Sequence, residues 1–366
     1  MSSSGLGDLR LVRYATTRSG PPHIDMLRRV IGTTDIDGKG TKHPVERQAD
    51  PFVILDEAVL PPNTKPPFGA HPHAGLVAVT IPFNPSFAGL LWDNISELNG
   101  EKEYGPLWSN GLFQIKAGRG VVHDEGRDVD KEVILSRVPQ SVIDRDVEKN
   151  VGIHLLQLWF NPGIGGSAHN MVDHELEPAE KVLLDSSEIP EVMIKSINDE
   201  SAIRARVLMG EFDGKKSPAK TWDADLLLLD CTVDGKASGE FKITFPDRYS
   251  TLWVYNLKTS GGKIKINDNA VINNEYVGLE IDEQELAIRE WGKQEACIEN
   301  DNSITVESDT NRRFIIGAGK PIGLPWVKLL GNDGALLGPN EEFVRNKMKE
   351  FESDKKHFGT ASMNCC

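Results

Sequence analysis

The sequence predicts an all-β protein in two halves of similar size. Three observations carry that reading. Short runs rich in β-branched and aromatic residues recur along the chain, turn-forming residues separate them, and a turn-rich break falls near the middle. Residues 52–55, 76–81, 133–135, 155–160, 203–209, 226–229, 241–245 and 251–257 read as strands. Phe241, Ile243 and Phe245 alternate with Lys242 and Thr244, the period of a half-buried strand. Residues 226–229 are all leucine, which predicts a strand covered on both faces. Gly261-Gly262, Asp268-Asn269 and Asn273-Asn274 supply turn chemistry between later strands. Gly317-Ala318-Gly319-Lys320 reads as a turn, because it lacks the spacing and strand-to-helix context of a phosphate loop.

Helices are few and short. The clearest starts at Asn340, a residue whose side chain can accept from the first free backbone N–H groups. Glu341 and Glu342 follow in the first turn, where the helix dipole favours acids. Phe343, Val344, Met348 and Phe351 then form one apolar stripe. The central break is Asn161-Pro162-Gly163-Ile164-Gly165-Gly166. It predicts one domain over 1–162, a second over 163–352 that includes the C-terminal helix, and a flexible tail over 353–366. No sequence repeat crosses the break, yet two all-β halves of similar size suggest a duplicated architecture.

Composition excludes some functions. The chain has 366 residues, 39% hydrophobic and 26% charged, ordinary values for a globular protein. It has no apolar run near the roughly 20 residues that span a bilayer, and no signal-peptide pattern at Met1, so an intracellular protein is expected, cytoplasmic or nuclear. A formal net charge of −14 repels phosphate, and no basic stripe offsets it, which argues against direct nucleic-acid binding. Cys231 and Cys297 suit a reducing compartment, and Cys365-Cys366 reads as a frayed end bearing two thiols.

The residues with the most chemistry lie in the first half. His71-Pro72-His73 places two imidazoles two residues apart, on one face of a strand. About fifty residues on, Gly118-Arg119-Gly120 can turn the chain tightly ahead of His123-Asp124-Glu125, again a pair on one face. Two neighbouring strands would bring His71, His73, His123 and Glu125 to one point. Three neutral imidazoles and a carboxylate suit one divalent transition metal: iron, nickel, copper, manganese or zinc. They do not form the oxygen shell that calcium or magnesium prefers. No histidine lies between His174 and His357, so the second half cannot supply a comparable site. His154, among apolar neighbours, reads as a core or edge histidine. The chain lacks a Gly-x-Ser-x-Gly elbow, a Walker loop and a Cys-x-x-Cys pair.

These same residues resemble the pirin family. The resembling segments are Asp50-Pro51-Phe52 with Leu55-Asp56-Glu57, His71-Pro72-His73 with Gly75, Ala117-Gly118-Arg119-Gly120 with His123 and Glu125, and Leu156-Gln157-Leu158-Trp159 with Asn161. The likeness is looser in the second half, at residues 319–325 and 338–342. It implies two cupin (jelly-roll-like) β-barrels face to face, with one metal, usually iron, in the N-terminal barrel on His71, His73, His123 and Glu125. It implies either of two functions. One is a quercetinase-like dioxygenase that takes a small aromatic substrate and O2, with Glu125 as base. The other is an iron-dependent transcriptional co-regulator or metal sensor that binds a protein partner. A monomer is expected. The sequence departs from the family in two places. Val77 stands where a non-ligand acid is common, which removes a hydrogen-bond partner beside the ligands. Residues 84–116 also differ, and both changes bear on substrate choice.

Overall fold

The structure is a computed structural model that describes residues 9–15, 26–32, 49–60, 70–83, 90–95, 110–128, 130, 132–133, 136, 153–163, 179–198, 200–234, 239–257, 263–266, 270–273, 283–289, 303–308, 312–322, 327–331, 334–338, 340–354 and 358. The all-β expectation holds: strands dominate, and the longest helix among the described residues, Glu341–Ser353, lies near the C-terminal end. The pairings among the described residues trace sheets and do not close into a cylinder. No helix among the described residues is long and apolar enough to cross a membrane.

Two compact units form, and each is discontinuous in sequence. One comprises Met1–Arg18, Arg28–Val53 and Glu188–Ile322; the other comprises Ser19–Leu27, Ile54–Ser187 and Gly323–Cys366. A single break at 161–166 does not describe this arrangement. The reason is long-range pairing. Glu180–Leu184, which lies past the break, pairs with Leu112–Lys116 as an edge strand. Leu9–Ala15 pairs with Glu283–Arg289, far along the chain. Edge pairing leaves no local mark in a sequence. Residues 164–166, Cys365 and Cys366 lie outside the described residues, as does most of the expected tail.

The unit holding Glu188–Ile322 is built on a seven-stranded sheet. Its order is Leu9–Ala15, Glu283–Arg289, Thr251–Asn256, Arg313–Gly319, Leu226–Asp234, Ala202–Met209 and Glu191–Lys195. A four-stranded sheet orders Gly239–Thr244, Ser303–Ser308, Lys263–Ile266 and Ala270–Asn273. Side chains two apart fill one core from both sheets: Ile203, Ala205 and Val207, then Leu227, Leu229, Cys231 and Val233, with Phe241, Ile243 and Val306 opposite. Period-two alternation places every second residue of a strand on that core. Leu226 and Leu228 are buried on the other face, as four consecutive leucines predicted. Asp230 shares that other face by parity and is fully buried, held by Arg206 at 3.0 Å and by Arg313 at 2.7 and 2.8 Å. Burial pushes its pKa up, but Arg313 and Arg206 outweigh that, and the carboxyl is held below its usual range.

Two local expectations fail for identifiable reasons. Gly317 and Gly319 lie inside the strand Arg313–Gly319, not in a turn. A Cβ on Gly317 would sit 2.1 Å from Trp253 Cε2, so glycine is required for the indole to approach the backbone this closely. Residues 133–135 were expected to be a strand, but Glu132, Val133 and Ser136 are helical. The Asp130 carboxylate accepts from the backbone N–H groups of Glu132 and Val133, a helix start that outranks β propensity.

The other unit carries the histidine pairs. One sheet runs Val327–Gly331, Gly334–Gly338, His71–Ala74, Val121–Asp128 and Leu90–Ile95. A second runs Glu180–Leu184, Leu112–Lys116, Val77–Pro82, Ile153–Phe160, Phe52–Leu60 and Met26–Ile31. Phe113, Ile115 and Val121 pack together between them, so the two sheets face each other there. The helix starts as expected, with the Asn340 side chain accepting from the Phe343 N–H at 2.9 Å. It belongs to this unit, not to the later half of the chain. Val344, Phe351 and Phe358 bury against Ala74 and Leu336.

Candidate metal centre

Strand register decides which imidazoles meet. His71–Ala74 runs antiparallel to Val121–Asp128, with His71 opposite His123 and His73 opposite Val121. Residues directly opposite in an antiparallel pair project to the same face, and so do residues two apart. His71, His73 and His123 therefore share one face. The turns that set this register are glycines. Gly75 has φ 70 and Gly118 φ 53, values that L side chains resist, and the Gly75 N–H donates to the Gly118 carbonyl at 3.0 Å.

The three rings form a compact cluster. Their centroids lie 4.8 to 4.9 Å apart, and one ligand nitrogen from each falls within 4.8 Å of the others. His123 Nδ1 lies 3.2 Å from His73 Nε2. All three are buried, His73 and His123 to 1% exposure. Burial pushes the His73 pKa well below the ordinary histidine value, and the nearby His71 and His123 push it the same way. A neutral imidazole with a free lone pair is the form that binds metal.

A divalent transition metal fits the residues present. Three borderline nitrogen donors converge in a buried site, and among the described residues no oxygen-rich shell that would favour calcium or magnesium surrounds them. His73 Nδ1 finds no hydrogen-bond partner among the described residues. Val77 aligns with Phe160 and Lys116, not with Ala78 and Trp159, so an acid at position 77 would point away from the triad. Glu125 lies two residues beyond His123 in the same strand, opposite Asp93. Its side chain is outside the described residues.

The remaining histidines separate clearly. His154 Nε2 lies 2.7 Å from Glu57 Oε1, a satisfied buried pair. His23, His43, His169, His174 and His357 lie outside the described residues. In the other unit the corresponding interior is packed with apolar side chains, among them Phe241, Phe245 and Phe314.

Three features of the site were not read from the sequence. Gly334–Gly338, near the end of the chain, pairs parallel to the histidine strand, with Ala335 opposite His73. Phe358 covers Gly120, where a Cβ would lie 2.7 Å from its ring. Trp159 meets the His73 ring edge to face at 5.2 Å. Only Trp159 had a usable signal, an aromatic at an alternating position of a strand beside the histidine sheet.

The sequence matches no protein-family profile and no curated protein. Solved structures are similar. A quercetin 2,3-dioxygenase from Acinetobacter baumannii superposes with TM-score 0.59 and 19% identity, over 87% of this chain and 90% of that one. GK1651 from Geobacillus kaustophilus gives 0.55 and 21%, over 86% and 96%. Bacterial pirin YhhW from Escherichia coli, in complex with nickel(II), gives 0.46 and 12%, over 85% and 100%. At these identities the likeness establishes the fold. The chain shares the fold of the Acinetobacter baumannii quercetin 2,3-dioxygenase structure, and it carries a three-histidine group that can hold a metal.

Proposed function

We propose that this chain is a metal-dependent dioxygenase of the quercetinase type, with its metal on His71, His73, His123 and Glu125. The observation that carries the proposal is the buried triad, whose ligand nitrogens lie within 4.8 Å of one another. The fold shared with a quercetin 2,3-dioxygenase supports the choice of reaction. Iron is the first metal expected, with nickel, copper, manganese and zinc as alternatives. The protein acts as a monomer inside the cell.

The bound metal supplies Lewis acidity that lowers the pKa of a chelating hydroxyl group, and a site for O2 chemistry. The chain's own residues do the rest. His71, His73 and His123 hold their positions because two hydrogen-bonded strands fix their backbones. Their burial keeps water away, which strengthens every charge interaction inside the site. Across from the triad, Trp159 meets His73 edge to face, with Ala78 beside it in the next strand. Glu125 accepts the proton of the substrate hydroxyl as general base.

The test is quercetin loss with oxygen uptake by anaerobically iron-loaded protein, beside its His71→Ala variant. Turnover in the first and none in the second is expected. Bound iron without turnover would instead favour metal-dependent partner binding, for which a net charge of −14 suits a basic protein face.

A further inference from the structure

The wall opposite the triad is laid out by register. Across the sheet, Lys181, Ile115, Ala78 and Trp159 form one row, and Leu183, Phe113, Thr80 and Gln157 form the next. Residues aligned this way lie on one face. That face looks toward the histidine sheet, because Phe113 and Ile115 pack on Val121, and Val121 shares its face with His123. Trp159 stands between Ala78 and the neighbouring strand Phe52–Leu60, and its ring meets His73 edge to face, 5.2 Å between centroids and 87° between planes. Its neighbour in the row is Ala78, the smallest side chain of the eight.

Trp159 Nε1 is shut off from solvent and has no acceptor among the described residues. A buried indole N–H ordinarily finds a partner, and one left alone carries the full desolvation cost of the donor. Such a group is retained when something other than the protein satisfies it. The indole adjoins the triad, while the rest of its row toward Ile115 is apolar.

We infer that Trp159 is the positioning residue of the site, donating its Nε1–H to an oxygen of the ligand taken up beside the triad. The ligand class is a planar aromatic with adjacent hydroxyl and ketone oxygens. One such oxygen meets the indole donor. The inference rests on the metal-site reading above, but it requires neither quercetin as the substrate nor any turnover.

The experiment uses full-length zinc-loaded protein, with zinc content measured directly, and follows the indole N–H signals by nitrogen-15 NMR. Absence of one signal in Trp159→Phe, or in Trp159→Tyr should the first variant unfold, assigns Trp159. Two probes are titrated without oxygen: quercetin, and tropolone, a small planar hydroxy-ketone. The expected result is a downfield shift of the Trp159 signal with at least one probe. That probe should bind about 2- to 10-fold more weakly to the variant, at unchanged zinc content, as loss of one neutral hydrogen bond predicts. A shift with tropolone alone keeps the Trp159 role and removes the quercetin reading. A fixed Trp159 signal with both probes, or equal affinity in wild type and variant, overturns the role. Protein that takes up no zinc overturns it together with the metal site.

Discussion

Metal binding at the triad must appear as stability, because only the folded chain gathers the three imidazoles. Unfolded, His71 and His123 are fifty-two residues apart in sequence and have no common ligand point. A ligand bound only to the folded state stabilises it by RT ln(1 + [L]/Kd), about 2.7 kcal/mol at a free metal concentration of roughly 100 Kd. For a cooperative unit of roughly 150 to 250 residues, each kcal/mol shifts Tm by about 2–4 °C, so the rise is about 5–11 °C. His73→Ala removes one of the three imidazoles, and the rise should vanish. The metal-free variant itself should lose less than the roughly 3–5 kcal/mol of a buried Phe→Ala, because the lost ring carries an unpartnered Nδ1. His154→Ala is the control. It leaves the fully buried Glu57 carboxylate without its 2.7 Å partner, at a cost of about 1–3 kcal/mol, yet it should keep the metal increment. Scanning calorimetry with iron, nickel or zinc, beside measured metal content, reads all three proteins. Equal increments in wild type and His73→Ala, or none in wild type with any of the metals, would falsify the triad as the binding site.

The same packing makes further predictions. Gly120→Ala places a Cβ 2.7 Å from the Phe358 ring at a backbone φ of +150, and should cost about 1–3 kcal/mol in denaturant unfolding. Adding Phe358→Ala should recover the steric share of that loss, and strict additivity of the two changes would refute the contact. Asp230→Ala removes the buried carboxylate that Arg206 and Arg313 share and should cost about 3–5 kcal/mol. The pH dependence has a definite sign. The folded carboxyl titrates below its ordinary value, so its contribution is complete above an unfolded pKa near ~3.9 and fades as pH falls through the folded value. Acid unfolding curves of wild type and Asp230→Ala should therefore converge at low pH; a gap of constant size would contradict the ion cluster.

Local physics made much of this protein legible in advance. The alternation of Phe241, Ile243 and Phe245, the four leucines at 226–229 and the Asn340 cap depend on neighbours within a few residues, and each appears as expected. The three histidines were legible for a related reason. A two-residue spacing on a strand fixes the face, whatever the rest of the fold does. Propensity misled where a specific contact outweighed it. Val133 joined a helical turn because Asp130 capped it. Gly317 and Gly319 became strand because partner strands pair with them on both sides, and the Trp253 indole takes the space a Cβ on Gly317 would fill.

The sequence by itself determined the fold class, the histidine set and the chemistry those donors favour, since each follows from residue type and short spacing. Tertiary structure alone decided that His71 stands opposite His123, that Ala335 pairs beside His73, and that Phe358 seals Gly120. It also decided that Trp159 meets His73, and that the units interleave rather than divide at one break. These outcomes depend on which distant strands pair and in what register. Register is set by the summed burial of whole faces, a quantity that no short stretch of sequence contains.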